Sequence, residues 1–197
     1  VKVPKWGSNF VYRTFQTLLF FKKIDNEGVK GSILIYKLMY NQLRGRLELW
    51  LLIVLQRHKV IHLIRGNILE QLVSSRTAAI TGVYQSKESM PIVKISLHES
   101  SLLAEIRKNK SRIDNYRKLI KLTGIPYIEV SYENLLLKRN AELNRVASFL
   151  DSKIGQYEDL SALKKINTYT LKERLENYDN IASLLKGTEF EVFLDDI

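Results

Sequence analysis

Hydrophobic positions along this chain alternate between short β-branched runs and longer stretches in which apolar residues return every three or four positions. These two periods distinguish strands from amphipathic helices. Residues 9–24 (NFVYRTFQTLLFFKKI) read as a helix or an aromatic-rich loop, which the turn formers Asp25-Asn26-Glu27-Gly28 break. Segment 32–40 (SILIYKLMY) predicts a strand, because β-branched and aromatic residues crowd a short run. Leucines at helical spacing between basic ends predict a helix over 42–57.

The apolar run Lys59–Ile64 (KVIHLI) leads through the turn Arg65-Gly66-Asn67 into an amphipathic stretch from Ile68 to about Gly82, a strand–turn–helix unit. After a polar loop at 84–92, residues 93–97 (VKISL) predict a short strand. A long charged helix is expected over 98–123, with Leu102, Leu103, Ile106, Ile113, Tyr116, Leu119 and Ile120 as its apolar positions and Gly124 as its stop. Residues 126–130 (PYIEV) predict a strand, Ser131-Tyr132-Glu133-Asn134 a turn, and 139–150 a helix with Leu143, Val146, Phe149 and Leu150 on one side. Strands alternating with helices predict an α/β fold, a three-layer α/β/α sandwich with a mostly parallel sheet, whose ligands bind at the carboxyl ends of the strands. A length of 197 residues suits a single domain over 1–197.

Composition narrows the chemistry. Zero cysteines exclude a disulfide scaffold and a Cys-built zinc site, and His58, His62 and His98 lack metal-ligand spacing, so no metal is expected. The longest apolar stretch, Leu47–Val54, includes Glu48 and is far shorter than a membrane span needs. With no signal-like segment either, a cytoplasmic, membrane-peripheral location is expected. A net charge of +10 attracts anions: nucleic acid, acidic lipid, sulfated glycan or a phosphorylated nucleotide.

The most informative stretch is Val60–Ser74 (VIHLIRGNILEQLVS). An arginine at a strand's carboxyl end and a serine two helical turns later can offer a guanidinium fork and a hydroxyl to one phosphate. Equally, Arg65 caps a surface turn and Ser74 is an ordinary helix residue. This stretch, with SRTAAITGVY (75–84) after it, resembles the 3′-phosphate-binding segment of PAPS-dependent sulfotransferases of the bacterial carbohydrate and nodulation type. Tyr36–Gln42, Ile128–Leu135 with its "YEDL"-like turn, and Lys165-Ile166-Asn167 through Glu176-Asn177-Tyr178 to Phe190 are similar to further segments of that family, in its usual order.

The resemblance implies a P-loop-like fold and a transferase moving a sulfuryl group from PAPS to a hydroxyl or amine acceptor, a carbohydrate or glycolipid in this group. It implies that Arg65 and Ser74 hold the 3′-phosphate. Lys164 or Lys165 can close over the nucleotide phosphates, although a solvated lysine at a helix start is the commoner case. Pro4-Lys5-Trp6-Gly7-Ser8-Asn9-Phe10 fits the family's 5′-phosphosulfate loop, which would make Gly7 and Ser8 nucleotide-binding and Lys5 catalytic. Only Val1 and Val3 stand as apolar residues before it, so the family's first buried strand is expected to be missing, and the loop itself with it if this segment is only a surface loop. Lys37 either approaches donor or acceptor or snorkels from a strand end. Tyr132 and Glu133 are expected to be structural, a carboxylate there accepting backbone N–H groups to pin the turn after its strand. No residue stands out as the acceptor's base. A P-loop kinase is disfavoured by the lack of a G-x-x-x-x-G-K-[ST] string. A non-catalytic nucleotide- or nucleic-acid-binding protein, or a catalytically dead relative, remains the alternative; scattered basic residues make nucleic acid the less expected partner.

Overall fold

The computed structural model describes residues 35–83, 91–152 and 169–195. They fall into two compact units, one built on the chain up to Lys59 with Thr123–Pro126, the other on Val60–Leu122 and the chain from Tyr127 onward.

In the first unit, helix α1 (Tyr40–Leu43) precedes helix α2 (Leu47–Leu55). The strand expected over 32–40 is not found in its described part: residues 35–39 carry no ladder, and Met39 is the N-cap of α1. A local partner explains the difference. The Met39 N–H donates to Gln42 Oε1 at 2.7 Å, so the backbone is satisfied by a helix start and not by a neighbouring strand. The single helix expected over 42–57 is split at Gly45, whose φ of +69° only glycine adopts cheaply. Backbone bonds from Arg57 N to Val54 O and from His58 N to Ile53 O close the end of α2, both at 3.1 Å.

The second unit runs β1 (Val60–Ile64), α3 (Ile68–Thr81), α4 (Glu99–Leu122), β2 (Tyr127–Ser131), α5 (Tyr132–Leu137), α6 (Arg139–Phe149), α7 (Leu171–Arg174), α8 (Tyr178–Leu185) and a 3₁₀ turn at Glu191–Leu194. Among the described residues the sheet is the parallel pair β1 and β2, in register from Val60 opposite Tyr127 to Ile64 opposite Ser131. Parallel neighbours need a long crossover, and α3 with α4 supply it. The fold is therefore mixed α/β with a small parallel sheet.

Several expected elements stand close to their predicted bounds: the strands at 59–64 and 126–130 and the helices at 68–82, 98–123 and 139–150. Gly82 ends α3 at φ +70°, the left-handed position that favours glycine. Two expectations change. The strand at 93–97 is one bridging residue, Ile95, which pairs with Leu175. Two residues further, Asn177 imitates a strand partner: its Oδ1 accepts from Leu97 N at 3.2 Å and its Nδ2 donates to Leu97 O at 2.8 Å. The turn at 131–134 instead opens α5, because Ser131 Oγ accepts from Asn134 N and caps a new helix.

The core explains the spacing of these elements. Leu69 and Val73 of α3, Leu102 and Ile106 of α4, Leu171 of α7, Ile181 and Leu185 of α8, and Phe190 form one buried cluster with Ile95 and Leu97. Burying each such side chain contributes about 1.5–3 kcal/mol, and the cluster fixes α3 beneath the turn that follows β1.

Candidate anion-binding site

Arg65 follows the last residue of β1 and precedes the turn into α3. That turn is held from the neighbouring strand. Glu133, on the first turn of α5, spans two adjacent amides: Oε2 accepts from Gly66 N at 3.0 Å and Oε1 from Asn67 N at 3.1 Å. The carboxylate thus pins a turn through backbone N–H groups, as expected, but the turn is the one after β1 and not its own. Gly66 leaves room for it, since a Cβ there would stand 3.3 Å from Glu133 Oε2. Asn67 caps α3 by accepting from Glu70 N at 2.9 Å, and its Nδ2 donates to Phe193 O at 2.9 Å.

Beside the turn lies a buried ionic triad. Glu70, in the first turn of α3, contacts Arg65 through Oε2 at 3.4 Å and pairs with Arg174 Nη2 through Oε1. The Arg174 side chain is 2% exposed and that of Arg65 21%. α7 delivers Arg174 because Thr170 and Glu173 form a capping box, with Thr170 Oγ1 accepting from Glu173 N at 3.2 Å and Glu173 Oε2 accepting from Thr170 N at 2.8 Å. The Arg65 guanidinium also lies over the Tyr132 ring, 4.7 Å from its centre.

Formal charges do not balance in this triad: two guanidinium cations face one carboxylate. Two of their donors, Arg65 Nε and Arg174 Nη1, are buried without a hydrogen-bond partner. The unmatched donor on Arg65, the more exposed of the two cations, favours an anion of several oxygens, and a phosphate ester meets that requirement. Ser74 is half-buried on α3, four residues after Glu70 and so on the same side of the helix.

A second charged cluster crosses the sheet. His62, buried on β1, is the register partner of Glu129, and its Nδ1 lies 3.2 Å from Glu129 Oε2. Arg117 of α4 forks onto the same carboxylate, Nε to Oε2 at 2.8 Å and Nη2 to Oε1 at 2.9 Å. The hydrogen bonds from Arg117 hold the Glu129 carboxyl below its ordinary range. Burial pushes the His62 imidazole below its ordinary value, against the opposing pull of Glu129.

Of the residues singled out in the sequence, Arg65 and Ser74 stand at the β1–α3 unit, whereas Lys5, Gly7, Ser8 and Lys165 lie outside the described residues. Sequence reasoning missed Glu70 and Arg174 as site residues and gave Tyr132 no ligand-side neighbour. Glu70 had a legible signal, a carboxylate between the apolar Leu69 and Val73 on the buried side of α3. Arg174 had none, because an arginine after a capping box is ordinarily solvated. Among the described residues no cluster of His, Asp and Glu could hold a metal ion, and no helix is long and apolar enough to cross a membrane. No protein-family model, curated protein or solved structure matches this chain.

Proposed function

We propose that this chain is a nucleotide-dependent group-transfer protein whose anion seat lies at the carboxyl end of β1. More narrowly, we read it as a PAPS-dependent sulfotransferase, of P-loop-like three-layer α/β/α architecture, acting on a hydroxyl or amine of a carbohydrate or glycolipid. The observation that carries the reading is Arg65: it follows a parallel strand, enters the turn before a capped helix, and keeps an unmatched buried Nε while sharing Glu70 with a second guanidinium. Ligands of open parallel sheets gather at this end of the strands.

In this reading Arg65 and Ser74 bind the 3′-phosphate of the donor. The Glu133 carboxylate already occupies the two turn amides, so the phosphate is held by side chains and not by the backbone of α3. The acceptor oxygen or nitrogen attacks sulfur, the bond from sulfur to the bridging phosphate oxygen breaks, PAP leaves, and the acceptor's proton passes to a base or to solvent. Lys5 offsets charge on the departing oxygen, Gly7 and Ser8 belong to the 5′-phosphosulfate loop, and Lys165 closes over the nucleotide. No metal takes part.

Calorimetric titration of the chain with PAP tests this. Binding is expected in the micromolar range, about −8 kcal/mol, with a loss of about tenfold to a hundredfold in Arg65→Ala and a smaller one in Ser74→Ala. A folded chain that binds no PAP overturns the reading.

A further inference from the structure

Arg174 is nearly inaccessible at 2% exposure, so it is not a ligand contact, yet it ends on the carboxylate beside Arg65. Resting on the reading of Arg65 as the phosphate-binding residue, we propose that Arg174 is a positioning residue that occupies Glu70 and thereby leaves the Arg65 guanidinium open to a phosphate ester.

The geometry divides the carboxylate unequally. Glu70 Oε1 is committed to Arg174, while Oε2 stands 3.4 Å from Arg65, at the outer limit of a hydrogen bond. A carboxylate and a phosphate compete for the same guanidinium fork, and at this position the carboxylate is tethered and always present. Arg174 weakens that competition by committing Oε1 of Glu70, which leaves only the long Oε2 contact to Arg65. It also adds one positive charge beside a turn where the Glu70 and Glu133 carboxylates would otherwise outnumber Arg65. The Tyr132 ring, 4.7 Å from the Arg65 guanidinium, holds the cation from its face and leaves its edges for hydrogen bonding.

The full chain is titrated with PAP and with 5′-AMP, which lacks the 3′-phosphate, in wild type, Arg174→Leu, and Arg174→Leu combined with Glu70→Met. Thermal unfolding verifies that each variant is folded. Arg174→Leu brings the triad to zero charge and is expected to weaken PAP at least about tenfold while leaving 5′-AMP unchanged. The double variant removes the two most deeply buried charges and leaves Arg65, which is 21% exposed, as the remaining cation, so it tolerates the loss of the pair even if the single variant does not fold. With Arg65 alone its formal charge equals that of the intact triad, and PAP affinity is expected to return to within a few-fold of wild type. PAP affinity unchanged in Arg174→Leu, equal weakening toward both nucleotides, or failure of the double variant to recover overturns the role of Arg174 alone. A wild-type chain that binds no PAP overturns the sulfotransferase reading, and this inference falls with it.

Discussion

His62 occupies a position where burial and charge oppose one another. Its imidazole is removed from water on β1, which disfavours the charged form, while Glu129 opposite attracts it; desolvation is the larger effect and the folded pKa lies below the ordinary value of 6.5. As pH falls through that ordinary value, the unfolded chain takes up a proton that the folded chain refuses. Stability is therefore lost progressively below about pH 6.5, down to the folded pKa. Glu129 acts in a lower window, since its depressed carboxyl contributes stability that is present above the ordinary carboxylate range and lost as pH falls through the folded value. Urea unfolding at pH 7.5 and 5.5 should show a loss in wild type that His62→Gln lacks. An equal loss in both proteins would remove His62 as its source. Glu129 does not depend on His62 for its partner, because the Arg117 fork remains in the variant.

At the level of elements, α3 shows what the sequence could and could not supply. Its start and stop were legible because they are local: Asn67 accepts from Glu70 N three residues on, and Gly82 takes the left-handed turn that ends it. The strand at 32–40 misled because strand character is a property of pairs. Ile35 and Met39 have β-forming or apolar side chains, yet both are exposed, and Gln42 satisfies the Met39 amide locally. For the site, Arg65 was legible from its place after an apolar strand, while Arg174 was not, since its burial depends on Glu70 a long way back along the chain. Asn67 carries both kinds of information, local through Oδ1 and distant through Nδ2, which donates to Phe193 O. The two roles separate by mutation. Asn67→Asp keeps the helix cap and loses the distant donor, whereas Asn67→Ala loses both. Chemical unfolding should place Asn67→Ala about 1–3 kcal/mol below wild type and Asn67→Asp between them. Equal destabilisation by the two would assign the whole effect to the distant bond.

Over the whole molecule the net charge of +10 invites a polyanion, and the location of the unmatched Arg65 Nε argues for a small one. Salt distinguishes them. A seat built on Arg65 should lose less than about tenfold in PAP affinity between 50 and 200 mM salt, whereas many surface contacts to a nucleic-acid backbone lose about a thousandfold or more. A thousandfold loss for PAP would place its binding on the diffuse surface charge. The bonds that assemble this seat share one further property, their reach along the chain. Gly66 and Glu133 are 67 residues apart, Glu70 and Arg174 are 104, and Asn67 and Phe193 are 126. Each closes a long loop, whose entropy must be lost before the contact rewards it, so these contacts belong to the late stages of folding. During synthesis the turn after β1 emerges early but waits for Glu133, then Arg174, and finally the carbonyl of Phe193 to leave the ribosome. The seat therefore matures in the order of translation, and a nascent chain halted before Arg174 carries Arg65 and Glu70 as a neutral pair.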